Sequence, residues 1–259
     1  MTGSAPGRTG EPRYGEGVSL VAAAVCPHPP LIVPELAGAA APELDDLRTA
    51  ADAAVSRLLG ARPDCLVVLG TGAVTGWIIP PATGSFRPWG LDLTVPLVPA
   101  LPDEGKRLPL SVTVGAWLLG RQPVGARAGV RVVGAQVSAE ATPAELARLA
   151  GQVHEYRPRV ALLVMGDGSA CRGPKSPGYD DPRAEAYDDG VARALADADA
   201  DALLGLDPAR SAELKAAGRA PWQVLAGAVR TAGGGWRGEL RHHSAPYGVA
   251  YFVASWEPA

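Results

Sequence analysis

Groups suited to chemistry near neutral pH are scarce in this chain: there are four histidines and three cysteines in 259 residues. One histidine stands apart because of its neighbours. In Cys26-Pro27-His28-Pro29-Pro30-Leu31-Ile32-Val33-Pro34, prolines flank His28 on both sides. Each proline fixes its own φ, lacks an N–H and pushes the residue before it toward extended backbone. An imidazole on so stiff a loop can serve as an acid/base or as a metal ligand, and it can also simply anchor the loop to a backbone carbonyl. A second group lies in Gly166-Asp167-Gly168-Ser169-Ala170-Cys171-Arg172-Gly173. Asp167 and Ser169 can bond a substrate hydroxyl or satisfy the N–H groups of a tight, Gly-flanked turn. Cys171 is a candidate nucleophile if the cation of Arg172 lowers its thiol pKa, and an inert core thiol otherwise.

Further candidates are spread along the chain. Arg219, shortly before Pro221 at the start of an expected helix, can receive an anion there or pair with Asp207. His242 and His243 sit on an expected strand, where neighbouring side chains face opposite ways, so only one can enter a pocket. His243, Tyr247 and Ser169 are taken as substrate-binding candidates, and Tyr251 is open as a further lining residue. His154, late in a helix, suits the helix dipole and reads as structural. Gly70-Thr71-Gly72 is followed by proline-rich sequence rather than a helix, which excludes a dinucleotide loop. No G-x-S-x-G elbow is present.

The elements that must hold these groups follow from hydrophobic period. Runs at Val18–Val25, Cys65–Leu69, Val130–Val137 and Val160–Met165 are short enough for strands, and the first, second and fourth are apolar as strands covered on both faces are. Between them, 42–59 and 142–156 carry helical spacing, and Thr142-Pro143-Ala144-Glu145 has the form of a capping box. Leu110–Leu119 reads as a helix buried all round. Helices are expected at 182–196, 208–216 and 221–232, and two antiparallel strands at 237–243 and 248–255. The span 76–108 is proline-rich and reads as an excursion at the sheet edge with one short strand at 91–95. The expected class is α/β, with a mostly parallel central sheet, helices on both faces and antiparallel C-terminal strands. Residues 1–17 read as a flexible leader and 18–259 as one domain. His28 and Asp167 then both follow strands, at the sheet edge where open α/β folds bind ligands.

Net charge is −3 with no basic block, which offers nucleic acid or an anionic membrane nothing to hold. No apolar run spans a bilayer and no signal peptide is apparent, so the expectation is a soluble, cytoplasmic protein with reduced cysteines. A homo-oligomer is open.

In order along the chain, four motifs carry a resemblance: the His28 loop, Gly166-Asp167-Gly168-Ser169, Gly218-Arg219-Ala220-Pro221 with Val224-Leu225, and Ala245-Pro246-Tyr247-Gly248-Val249-Ala250-Tyr251-Phe252-Val253-Ala254. Together they resemble the catalytic B subunit of class III extradiol dioxygenases, a superfamily that includes the Memo-like proteins. The resemblance implies ring cleavage of catechol-type substrates by a non-haem Fe(II) held by two histidines and a glutamate. It puts His28 in the place of the first iron ligand. The second histidine falls at Gly70–Val74, the acid/base histidine at Ala170 or Cys171, and the third ligand, a glutamate or in Memo-like relatives a cysteine, near Ala217–Pro221. None of those stretches carries the implied ligand or acid/base histidine. The resulting expectation is a divergent, extradiol-like protein with a small-molecule pocket at His28, acting on or binding an aromatic ligand without a metal cofactor. His28, Asp167 and Cys171 are its candidate catalytic groups. Two alternatives stand beside it: an active Fe(II) dioxygenase with a site rebuilt from Asp167, Cys171, His242 or His243, and a Memo-like scaffold or regulatory protein.

Overall fold

The structure is a computed structural model that describes residues 20–99, 101, 105–156 and 158–259. The expected leader and the first two residues of the expected opening strand lie outside the described residues. Strand β1 (Leu20–Cys26) is followed by a short helix α1 (Pro34–Ala37), helix α2 (Asp45–Gly60) and strand β2 (Cys65–Gly72). Three short strands come next, β3 (Gly76–Ile78), β4 (Thr83–Ser85) and β5 (Thr94–Pro96), then helix α3 (Leu110–Gly120). Strand β6 (Arg131–Ser138), helix α4 (Pro143–Tyr156) and strand β7 (Val160–Met165) complete the parallel core. The chain ends with α5 (Arg183–Asp197), α6 (Ala200–Leu204), α7 (Pro208–Glu213), α8 (Arg219–Ala232), β8 (Trp236–Ser244) and β9 (Tyr251–Pro258).

Seven strands form one sheet in the order β3-β6-β2-β7-β1-β9-β8. The four central strands β6, β2, β7 and β1 run parallel, with Leu66 level with Val132 on one side and with Ala161 on the other. The flanking strands β3, β9 and β8 pair antiparallel. This is the expected α/β class, and the alternation within β1, β2 and β7 explains their apolar runs. Val67, Leu69, Leu162 and Val164 pack under α4, α5, α6 and α8, while Leu66, Val68, Leu163 and Met165 pack under α2 and α3. Burying both faces leaves no position for a polar side chain along β1, β7 and the stretch Cys65–Leu69 of β2, whereas β6, beside the short edge strand β3, carries Arg131 and Gln136.

The differences lie where period gives no signal. Between residues 76 and 108 the chain forms three short strands rather than one, with β3 added to the edge of the main sheet and β4 and β5 forming a separate pair. The last strand begins at Tyr251, not 248, because Gly168 and Ser169 claim the backbone of Ala250 first: Gly168 N donates to Ala250 O at 2.8 Å and Ala250 N to Ser169 O at 2.8 Å. The capping box forms as expected, with Thr142 N donating to Glu145 Oε2 and Glu145 N to Thr142 Oγ1. No helix of the described residues is long and apolar enough to cross a membrane.

Candidate active site

Two parallel strands bring the main pair together. Cys26 and Met165 are register partners at the ends of β1 and β7, and Gly166 N extends the ladder by donating to Cys26 O at 2.9 Å. The residues that follow are Pro27-His28 on one strand and Asp167 on the other. His28 is 8% exposed. Its backbone N–H donates to Asp167 Oδ1 at 2.7 Å, and its ring Nδ1 lies 3.5 Å from the same oxygen. That is just past the usual N–H···O range of about 2.7–3.2 Å. Nδ1 is buried and makes no hydrogen bond among the described residues. Nε2 has none among the described residues either, and is the ring nitrogen left to meet a ligand.

The loop is braced behind His28. Arg48 of α2, itself buried, donates to Ile32 O at 3.3 Å, to Ala41 O, and to Asp45 Oδ1 at 2.6 Å, tying the stretch after the prolines to the helix. Asp167 is braced through its carbonyl, which accepts from Gly218 N at 2.7 Å at the start of α8. Burial raises the Asp167 carboxyl above its ordinary value, opposed by the charge and the N–H of His28. Tyr251, at the start of β9, is buried nearby, and burial, followed by the charges of Asp167 and Tyr247, pushes its phenol well up. Tyr251 therefore stays a hydroxyl donor. Tyr247 is half-exposed and donates to Glu43 Oε2 at 2.9 Å.

The end of β2, where the resemblance places a second histidine, does meet the start of α8. It does so through a threonine: Thr71 Oγ1 donates to Ala217 O at 2.6 Å, and Ser111 Oγ donates to Thr71 O at 2.7 Å. A hydroxyl committed to a carbonyl and an alanine do not supply the two missing donors. Among the described residues no three His, Cys, Asp or Glu side chains converge to hold a metal ion. His28 and Asp167 alone do not fit the three-donor Fe(II) arrangement.

Other candidates are placed elsewhere. Ser169 serves Asp188, donating from Oγ at 2.5 Å and from its backbone N at 2.8 Å. Asp188 is fully buried, and Arg172 reaches it at 3.4 Å and Glu185 at 3.1 Å. Arg172 is thus turned to carboxylates instead of activating Cys171. The Cys171 thiol is buried, donates to the carbonyls of Gly178 and Leu214 at 3.3 and 3.4 Å, and is pushed up chiefly by burial. Of the two readings open for Cys171, this environment favours the inert thiol over the nucleophile. His243 lies on β8, two strands from β1, exposed and stacked on Phe252 at 4.8 Å. His242 bonds Ser244 Oγ at 2.7 Å. Arg219 contacts neither His28 nor Asp207. It donates to Gln223 Oε1 at 2.7 Å and to Ala139 O.

Four supporting residues were not anticipated from sequence: Arg48, Ser111, Asp188 and Gln223. Asp188 had a visible signal, since Ala184, Asp188, Val191 and Leu195 share one buried stripe of α5. An acid in that stripe must find donors inside the protein.

Compared with known proteins, the chain matches no protein-family model and no curated protein. Among solved structures it is similar to an uncharacterized protein of Escherichia coli K12, with 12% sequence identity, a TM-score of 0.43, and coverage of 92% of this chain and 99% of that one. At that level the likeness identifies neither a family nor an activity.

Proposed function

We propose that the protein is a divergent extradiol dioxygenase-like enzyme that works without Fe(II), using His28 as acid/base on a small phenolic or other aromatic ligand. The observation that carries this reading is the His28–Asp167 pair. One carboxylate oxygen takes the backbone N–H of His28 and faces its ring Nδ1, so the same group fixes the loop and orients the imidazole. Asp167 acts as a positioning residue, holding a proton on Nδ1 and leaving Nε2 to take one from a ligand hydroxyl. Tyr251, kept neutral by burial, supplies a donor beside the pair. The motifs that resemble the extradiol proteins support an aromatic ligand.

The test uses purified full-length protein, loaded anaerobically with Fe(II) and separately titrated with catechol, phenol and 4-hydroxybenzoate. The expected result is sub-stoichiometric iron together with a thermal shift from at least one phenol that is lost in His28→Ala. Near-stoichiometric iron that disappears in His28→Ala overturns the metal-free reading. No shift with any phenol removes the ligand reading and leaves the scaffold alternative.

A further inference from the structure

A second place in the molecule holds a buried charge that forms no ion pair among the described residues. Arg219, the first residue of α8, is 4% exposed. Among the described residues its guanidinium bonds only neutral oxygens, those of Gln223 and Ala139. Asp207 and Tyr187 exert the nearest opposite influence, but both are engaged elsewhere: Asp207 caps α7 through Arg210 N at 2.6 Å, and the Tyr187 hydroxyl meets Ser211 Oγ at 2.9 Å. Buried charges ordinarily carry a partner, because leaving one unpaired is costly.

The guanidinium is also held in a fixed orientation. Gln223 donates its amide nitrogen to the carbonyls of Leu204 and Leu206, each at 3.0 Å. Its amide oxygen must then face Arg219, and the fork is held by a residue that cannot flip. Arginine carries five donors, of which two are used here. Arg219 and Gln223 line a cavity of about 350 Å³ whose other walls include Pro143, Leu146, Leu204 and Leu206. That volume is at the lower end of the ~300–1,000 Å³ of small-molecule sites.

We propose that this cleft, between α4, α8 and the α6–α7 connection, binds a small carboxylic acid with an apolar body, its carboxylate on Arg219. The remaining donors of the fork match a carboxylate, and the leucine and proline walls match a short hydrocarbon. This site shares no residue with the His28–Asp167 pair and stands whether or not that pair is catalytic.

Hexanoate and its neutral isostere hexanamide are the probes, titrated calorimetrically into the full chain. Hexanoate is expected to bind about tenfold or more tighter than hexanamide, as a charge-assisted bond to a buried cation requires. Arg219→Met is expected to abolish that preference. Leu206→Trp, at a half-buried wall position that can accept bulk, is expected to block both probes and keeps the proposal testable should Arg219→Met fail to fold. His28→Ala is expected to leave hexanoate binding unchanged. Equal affinity for acid and amide, binding indifferent to Arg219→Met and Leu206→Trp, loss of binding in His28→Ala, or no binding of either probe would each overturn it.

Discussion

His28 and Asp167 are 139 residues apart, yet one carboxylate oxygen sits 2.7 Å from the backbone nitrogen of His28 and 3.5 Å from its ring Nδ1. The relationship follows from strand order. β1 and β7 are adjacent and in register to their last residues, so each loop starts beside the other. The proline-flanked loop has little freedom to move away, which makes the pair a property of the fold and not of a mobile tip.

Replacing Asp167 tests the electrostatics of the pair. Burial lifts its carboxyl above the ordinary 3.8. Just above that pH the native protein therefore retains a proton that the unfolded chain has released, and stability falls as pH rises through the window. Asp188 is lifted in the same direction and adds the same sign. Asp167→Asn keeps an oxygen for the His28 N–H but removes one titration, so its Tm relative to wild type should rise with pH across the acid range. Parallel melting curves for the two proteins at every pH would contradict this.

Ser169→Ala should weaken the loop after β7 without touching His28 directly. It removes the hydroxyl that donates to the fully buried Asp188, a bond to a charged group worth about 1.5–3 kcal/mol. Urea unfolding should show a loss of that size. A change within about 0.5 kcal/mol, as for ordinary surface substitutions, would mean that Arg172 and the Ser169 N–H satisfy the carboxylate alone.

Gly70 lies where β2 packs against α3. A Cβ there would meet Ser111 Cβ at 2.6 Å and Met165 Cβ at 3.4 Å. Gly70→Ala should therefore cost about 1–3 kcal/mol by overpacking and disturb the Ser111–Thr71–Ala217 chain that closes the sheet edge. Calorimetric melting gives the cost, and an unchanged Tm would show that α3 yields freely.

The thiols should be silent in the folded protein. Cys26, Cys65 and Cys171 are all buried and outside any disulfide, and burial pushes the Cys26 and Cys171 thiols up. Ellman's reagent at mildly alkaline pH should titrate none of them promptly in buffer and all three in denaturant. Rapid modification of Cys171 in the native state would restore it as a candidate nucleophile.

Much of the architecture was legible before any coordinates. β7 begins and ends where its apolar run does, and α2, α3, α4 and β6 fall within three residues of the expected bounds at each end, because a strand or helix buried on a defined face must repeat its apolar residues at a defined period. The irregular span from 76 to 108 resisted the same reading. Strands such as Thr83–Ser85 and Thr94–Pro96 are three residues long and are decided by which neighbour they pair with, a long-range fact without local signature.

At the sites the division is sharper. The amino-acid sequence by itself determined that His28 is held stiffly at a strand end, that Asp167 follows another strand, and that the chain lacks the second and third ligands of an extradiol iron centre at the implied positions. Only the tertiary structure decided which groups share a space. Register between β1 and β7 set His28 against Asp167, Asp188 drew Ser169 and Arg172 away from the candidate cluster, and α8 folded Arg219 into an apolar cleft where no carboxylate of the described residues meets it. Side-chain type and local backbone are written along the chain, whereas partnership depends on contacts across many tens of residues, which no local pattern encodes.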